Sequence, residues 1–255
     1  MPILVIPTRH ERRAALQALP GAVAMPDQPV STWQVGGLRL LESGMGLARV
    51  EALLPHLEAL APDAVWLFGW CGGLSADLDV SDLVLADRTI LEDGQSISHP
   101  PDKDLVAHVE QLAQDLGQRL VVGPVLTSER VLITVADKKA GRETGAVAVE
   151  MEAGPLARWA VDRGLPFVHL RVVLDPATSA LPPEGKRPKR RARTELGATL
   201  QRYLSRPPRA WSAVWRLHRQ FLSASQTMTR TIAALTRPGG ALEAKNVLDH
   251  NPARA

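Results

Sequence analysis

Glu150 and Glu152 stand one residue apart in Ala148-Val149-Glu150-Met151-Glu152-Ala153-Gly154-Pro155, where an apolar strand-like run passes into a helix. A carboxylate is costly to desolvate unless it is paired or hydrogen-bonded, so two of them at a strand end point to a site that needs negative charge. A sugar that becomes cationic in its transition state is one such load. The other reading stays open: acids favour the positive end of a helix dipole, and the pair would then simply begin the helix that follows.

A third acid closes the next apolar run. Leu165-Pro166-Phe167-Val168-His169-Leu170-Arg171-Val172-Val173-Leu174 reads as a central strand buried on both faces, and Asp175-Pro176 ends it. If both strands belong to one parallel sheet, Glu150, Glu152 and Asp175 all lie at its carboxyl edge, where ligands of open α/β sheets bind. A fourth acid, Glu11 in Thr8-Arg9-His10-Glu11-Arg12, follows the first strand, Ile3-Leu4-Val5-Ile6, and is placed either to activate a water or merely to start a helix.

Glycine turns must bring backbone to these groups. Leu38-Arg39-Leu40-Leu41-Glu42 runs into Ser43-Gly44-Met45-Gly46 and then a helix ended by Pro62, a strand, tight turn and helix N-terminus that presents N–H groups to an anion or hydroxyl. Val65-Trp66-Leu67-Phe68 leads into Gly69-Trp70-Cys71-Gly72-Gly73, where backbone can lie flat against a ring. A strand over 79–86 and another from Gly123, running to Val131 and Leu132, complete the set.

These elements, in this order over residues 1 to about 180, resemble the purine/uridine phosphorylase and nucleosidase superfamily. Ser43-Gly44-Met45-Gly46 is similar to its Ser-Gly-x-Gly turn, Gly69 to Gly73 to its Gly-x-Ala-Gly-Gly loop, Val149-Glu150-Met151-Glu152 to its Val-Glu-Met-Glu ribose clamp, and Arg171 to Asp175 to its Arg-x-x-Ser-Asp strand end. The resemblance implies an α/β fold, a three-layer αβα domain around a central mixed sheet, that cleaves an N-ribosidic bond through an oxocarbenium-like state. It further implies Asp175 as the acid that protonates a purine at N7, Glu152 as the grip on the ribose hydroxyls with Met151 and Glu150 beside it, and Glu11 as the group that activates water. Ser43, Gly44 and Gly46 would form the nucleophile or phosphate side. Cys71, Gly72, Gly73, Val131 and Leu132 would line the base pocket. Arg9, Arg49 and Arg88 are available to a phosphate, so inorganic phosphate stays open as co-substrate; no other cofactor is expected.

Leu174 departs from the family Ser, Cys71 from its Ala, and Trp70 is large. The order Leu174-Asp175-Pro176-Ala177, Leu181-Pro182-Pro183, then Arg206-Pro207-Pro208 before a basic helix resembles the hopanoid-associated phosphorylase branch. That resemblance implies release of adenine from adenosylhopane, a nucleoside whose lipid half lies in the membrane. The alternatives are a methylthioadenosine/S-adenosylhomocysteine or futalosine-type nucleosidase, and a non-catalytic ligand-binding membrane adaptor, against which Glu152 and Asp175 argue.

Charge divides the 255 residues in two: the net +3 arises from −8 over residues 1–181 and +11 over 182–255. We therefore expect a catalytic domain over 1–181, then a basic linker, amphipathic helices and a disordered tail from about Arg237. At 100° per residue, Trp211, Val214, Trp215, Phe221, Leu222, Met228, Ile232 and Leu235 share one side of a helix over 209–235, with Arg209, Arg216, Arg219 and Arg230 opposite, which suits either a membrane interface or packing on the enzyme or a partner subunit. A homo-oligomer is expected from the family, and nothing resembles a base-reading nucleic-acid module. The seven scattered His and the single Cys offer no metal spacing and no disulfide. With no signal peptide or apolar run of membrane-spanning length, the expected location is cytoplasmic, with peripheral contact at the inner membrane face.

Overall fold

The computed structural model describes residues 1–180 and 208–242, with side chains of the last helix from Trp215 onward; the basic run at 186–193, the helical stretch at 194–204 and the side chains of the expected helix-face residues Trp211 and Val214 lie outside what it describes. The described strands are β1 (Ile3–Ile6), β2 (Val23–Met25), β3 (Thr32–Val35), β4 (Leu38–Glu42), β5 (Val65–Gly73), β6 (Leu83–Leu91), β7 (Ser96–Ser98), β8 (Leu120–Thr127), β9 (Ala148–Glu150) and β10 (Phe167–Asp175). The helices are α1 (Arg9–Ala18), α2 (Leu47–Leu60), α3 (Lys103–Asp115), α4 (Val135–Glu143), α5 (Ala153–Asp162) and α6 (Pro208–Leu235).

Near-continuous apolar runs make the central strands, because β1, β5 and β10 are covered on both faces. Leu4, Ile6, Trp66, Phe68, Val168 and Leu170 point to one side, where α1, α3 and α6 pack. Ile3, Val5, Val65, Leu67 and Phe167 point to the other, against α2 and α5. This is the expected three-layer arrangement around a mixed sheet.

The strand directions differ from the sequence expectation. β5 runs parallel to β1 and β10, but β9 pairs antiparallel with β5 through Gly72 and Gly73. β10 pairs antiparallel with β6, β6 parallel with β8, and β8 parallel with β9, so five strands close a ring. Glu150 and Asp175 therefore do not end neighbouring parallel strands. β9 enters from the opposite direction and delivers Glu150 to the level of Arg171, four residues before Asp175. The run Gly69 to Gly73 is also not a loop but the second half of β5, because glycines there admit side chains from both neighbours.

The C-terminal helix belongs partly to this body. Ala224, Met228, Ile232 and Leu235 are fully buried in the core shared with α1 and β10, Thr229 Oγ1 donates to the Ala14 carbonyl at 3.0 Å, and the hydroxyls of Ser81 and Ser223 lie 2.7 Å apart. Of the two roles open to this apolar side, Met228, Ile232 and Leu235 take packing on the enzyme's own core. The chain past Arg237 is likewise ordered as far as Leu242: Gly239 turns in the left-handed region at φ +79°, Leu242 N–H donates to the Leu235 carbonyl, and Ala241 and Leu242 are buried.

Candidate active site

Arg171 is the centre of the charged cluster. Projecting from the middle of β10 with no exposure, its Nη2 pairs with Glu150 and lies 3.4 Å from a Glu152 oxygen, while its Nε donates to His169 Nε2 at 2.8 Å. His169 must then be neutral, with its proton on Nδ1, and burial together with Arg171 holds its pKa well below the usual range.

The two glutamates of β9 and its exit have separate tasks. Glu150 Oε1 accepts from the Thr127 hydroxyl at 2.5 Å, and Oε2 accepts from the N–H groups of Glu152 and Ala153, each at 2.8 Å, as well as from Arg171. Those amides begin α5, so the helix-dipole reading describes Glu150, whose oxygens are spent on the protein rather than free for a ribose. Glu152 instead reaches across the fold: its Oε1 accepts from Gly46 N–H at 3.1 Å, at the mouth of α2. Gly44 and Gly46, with φ of +83° and +92°, give the turn a shape that other residues adopt only with strain. Ser43 is buried in the same turn, and Met151 is half-buried beside Glu152. Burial is the main reason that the Glu152 carboxyl is pushed up to about 7; Arg171 opposes it, and Glu150 and Glu11 add to it.

Glu11 arrives from the other side of β5. Its Oε2 accepts from Thr8 N–H at 2.8 Å and from the Thr8 hydroxyl at 2.5 Å, completing a capping box that starts α1, and its Oε1 accepts from Trp70 N–H at 2.6 Å. It is not a surface residue: only 3% is exposed, and burial raises its pKa. Gly69 makes this approach feasible. A Cβ there would stand 2.5 Å from Glu11 Oε1 and 2.6 Å from Arg171 Nη1, so the missing side chain leaves room for both the acid and the guanidinium.

Asp175 ends β10 opposite Gly72, and its Oδ2 pairs with Lys138 of α4. Burial raises the Asp175 pKa while Lys138 pulls it down, the net direction being up. Lys138 has no precedent in the sequence reading, because Asp137-Lys138-Lys139 looks like a solvated helix face. Its signal was the i, i+3 pair with Gly141: both are buried, and Gly141 allows α4 to settle against Leu132 and Leu74. Thr127 and His169 are the other supporting groups that sequence motifs did not mark.

The expected base-pocket residues separate. Gly72 lies under Asp175, and Gly73 against Pro176 and Ala177. Cys71 turns into the ring interior with Leu78, Val84, Val125 and Val173, and burial drives its thiol pKa upward, which removes it as a nucleophile. Leu132 packs with Leu74, Ile90, Leu126, Ala146 and Val149, while Val131 is only partly buried. Of the phosphate candidates, Arg9 and Arg49 are exposed, and Arg88 lies 3.9 Å from Asp87.

The cluster thus gathers three enclosed carboxylates around one guanidinium, with a fourth acid and its lysine at the end of the same strand. Excess negative charge in a dry site is suited to a cationic transition state.

The chain is 31% identical over 157 residues to a 5'-methylthioadenosine/S-adenosylhomocysteine nucleosidase of Chromohalobacter salexigens, covering 53% of this chain and 66% of that protein. It is 26% identical over 137 residues to a guanosine phosphorylase of Halorubrum lacusprofundi, covering 50% of this chain and 56% of that protein, so the matched stretches span under two thirds of these relatives. In fold it is similar to the methylthioadenosine/S-adenosylhomocysteine nucleosidases of Campylobacter jejuni (TM-score 0.67, 16% identity, 91% of this chain and 96% of that one) and Neisseria meningitidis (0.67, 19%, 91% and 96%), the latter in complex with methylthio-immucillin-A. The family model of the phosphorylase superfamily matches residues 30–207, more than half of the chain. This chain belongs to the phosphorylase superfamily.

Proposed function

We propose that this chain cleaves the N-ribosidic bond of an adenine nucleoside with water as the acceptor. The observation that carries the reading is the cluster itself: Glu152, anchored by Gly46 N–H and Arg171, is close enough to Glu11 for the two carboxyls to repel, with Asp175 further along β10. The name of the Chromohalobacter salexigens relative, a 5'-methylthioadenosine/S-adenosylhomocysteine nucleosidase, supports the same class.

In this scheme the C1′–N9 bond breaks and its electron pair passes to the purine. The Asp175 O–H breaks as the N7–H bond forms, so adenine leaves neutral. Glu152 accepts hydrogen bonds from the ribose hydroxyls and stabilises the oxocarbenium charge. Water then bonds to C1′ and its proton passes to Glu11. Water is favoured over phosphate because Glu152 already occupies the turn amide of Gly46, and Arg171, the one arginine enclosed at the site among the described residues, is taken up by carboxylates. Adenine release followed by absorbance in phosphate-free buffer tests this: undiminished turnover and a free ribose product are expected, whereas saturation with phosphate and a ribose 1-phosphate product would make it a phosphorylase.

The finer reading is a lipid-linked substrate, adenosylhopane, met at a membrane surface. Trp215 and Leu222 of α6 are 63% and 45% exposed, beside exposed Arg216 and Arg219. Phe221 links this end of α6 to α1 through an edge contact with His10, and α1 carries a cleft of about 480 Å³ lined by Arg9, His10, Arg12 and Arg13. Among the described residues no helix is long and apolar enough to cross a membrane, so attachment would be peripheral. Flotation with anionic vesicles should show salt-sensitive binding that is lost in Trp215→Glu with Leu222→Glu, and adenine release from adenosylhopane in vesicles should fall with it. Full-length protein that ignores vesicles but releases adenine from methylthioadenosine, S-adenosylhomocysteine or futalosine-like substrates would favour the water-soluble nucleosidase instead.

A further inference from the structure

Lys138 is the least expected charge in the molecule. Its side chain is 1% exposed, and its three N–H bonds are matched to three acceptors: Asp175 Oδ2, the Pro176 carbonyl at 2.8 Å and the Ser179 carbonyl at 3.0 Å. An ammonium so enclosed has no proton to offer a substrate, and its burial is tolerable only because a carboxylate and two carbonyls replace water. The fold invests in placing it. Thr134 and Asp137 form a capping box at the start of α4, and Gly141 on the same face lets the helix approach Leu74 and Leu132.

This arrangement makes the two oxygens of Asp175 unequal. Oδ2 is held by Lys138, whereas among the described residues no donor is bonded to Oδ1. Both oxygens stand about 3.6 Å from where a Cβ on Gly72 would be, so the space beside them on β5 is open because residue 72 is glycine. The ammonium also fixes the chain beyond the strand, since its two carbonyl partners belong to residues 176 and 179.

We propose that Lys138 is a positioning residue for the reaction, holding Asp175 by Oδ2 so that Oδ1 carries the proton handed to the leaving base. This rests on the adenine nucleosidase reading above. When the Oδ1–H bond breaks and the purine N–H bond forms, Asp175 becomes an anion directly against a cation that is already in place. The charge created by the transfer therefore needs no reorganisation. Of the charged and titratable groups packed around Asp175, Lys138 comes from α4 and the Cys71 thiol, kept neutral by burial, from β5; Arg171 and Glu150 lie deeper along β10 and at the end of β9. Burial raises the proton affinity of Asp175, and Lys138 is the charged partner that opposes it.

The test is the pH dependence of kcat for adenine release by Lys138→Met and Lys138→Gln, compared with the full-length parent chain. Loss of an ion-pair partner raises a carboxyl pKa by about one to three units, so the alkaline limb should move to higher pH by that amount while the plateau falls. A fallen plateau with an unmoved limb in a folded variant would overturn the proposal, leaving Lys138 a packing residue. Because either variant can fail to fold, a second measurement uses the unaltered protein labelled with ¹⁵N-lysine. The Lys138 Nζ resonance should shift with the same midpoint as the alkaline limb, and a resonance that stays flat through that limb overturns the proposal. Parent protein that releases no adenine from any adenosine derivative would instead remove the nucleosidase reading, and this role with it.

Discussion

Glu152 Oε1 lies 3.1 Å from the Gly46 amide nitrogen, a bond joining residues 106 apart in the chain. It links the glycine turn before α2 to the carboxylate at the start of α5. Removing the charge at residue 152 should therefore affect both sugar recognition and the turn. For Glu152→Gln we expect kcat/KM on ribosides to fall by about 10–100-fold, consistent with loss of a charge-assisted hydrogen bond, with weaker discrimination against 2′-deoxyribosides. The ratio of kcat/KM for the two substrate series checks this, and an unchanged ratio would take Glu152 out of the sugar site.

Stability should carry the signature of the same residue. The Glu152 carboxyl titrates near 4.5 when unfolded and at about 7 when folded, so the folded chain binds its proton more tightly. That contribution is complete below about pH 4.5 and is lost as the pH rises through about 7. Glu11 and Asp175 are shifted in the same direction and add to the trend. The Tm should thus decline between about pH 5 and pH 8, and the decline should be shallower in Glu152→Gln.

Asp175→Asn is not a purely chemical substitution. It removes a proton donor, for which a kcat loss of about 10²–10⁴ is expected. It also strips Lys138 of its carboxylate, and a buried charge left unpaired costs about 3–5 kcal/mol. Asp175→Asn combined with Lys138→Met should recover much of the stability without recovering turnover. Denaturant unfolding of the two single variants and the double variant provides the cycle; strictly additive losses would mean that the pair is not coupled.

Gly69→Ala should damage the site from the backbone. The added methyl group would meet Glu11 Oε1 and Arg171 Nη1 closer than any stable contact permits, and Pro7 Cδ at 3.1 Å on a third side. We expect a loss of about 1–3 kcal/mol or more from overpacking, and a kcat loss comparable to that of Glu11→Gln, since Glu11 would be displaced from Trp70 N–H. A stable Ala variant with parental kcat would show that Glu11 need not hold its present position.

Much of the site is legible in short sequence patterns because the geometry they encode is local. Thr8 and Glu11 are three residues apart and cap α1, Gly44 and Gly46 meet the conformational demand of their turn, and the apolar run before Asp175 can only be a covered strand. The acids Glu11, Glu152 and Asp175, the three-layer architecture and the superfamily follow from such patterns taken in order. The tertiary structure alone decides how they meet. Strand direction depends on pairing partners, so no local pattern distinguishes β9 running against β5 from β9 running alongside it; this direction brings Glu150 onto Arg171. Burial of Lys138, rather than its neighbour Lys139, depends on which face of α4 meets β10, and the pairing with Asp175 follows from that contact. The apolar stripe of α6 is visible in the sequence, but an amphipathic helix does not name its partner. Only packing against α1 and β10 separates the buried Met228, Ile232 and Leu235 from the exposed Trp215 and Leu222.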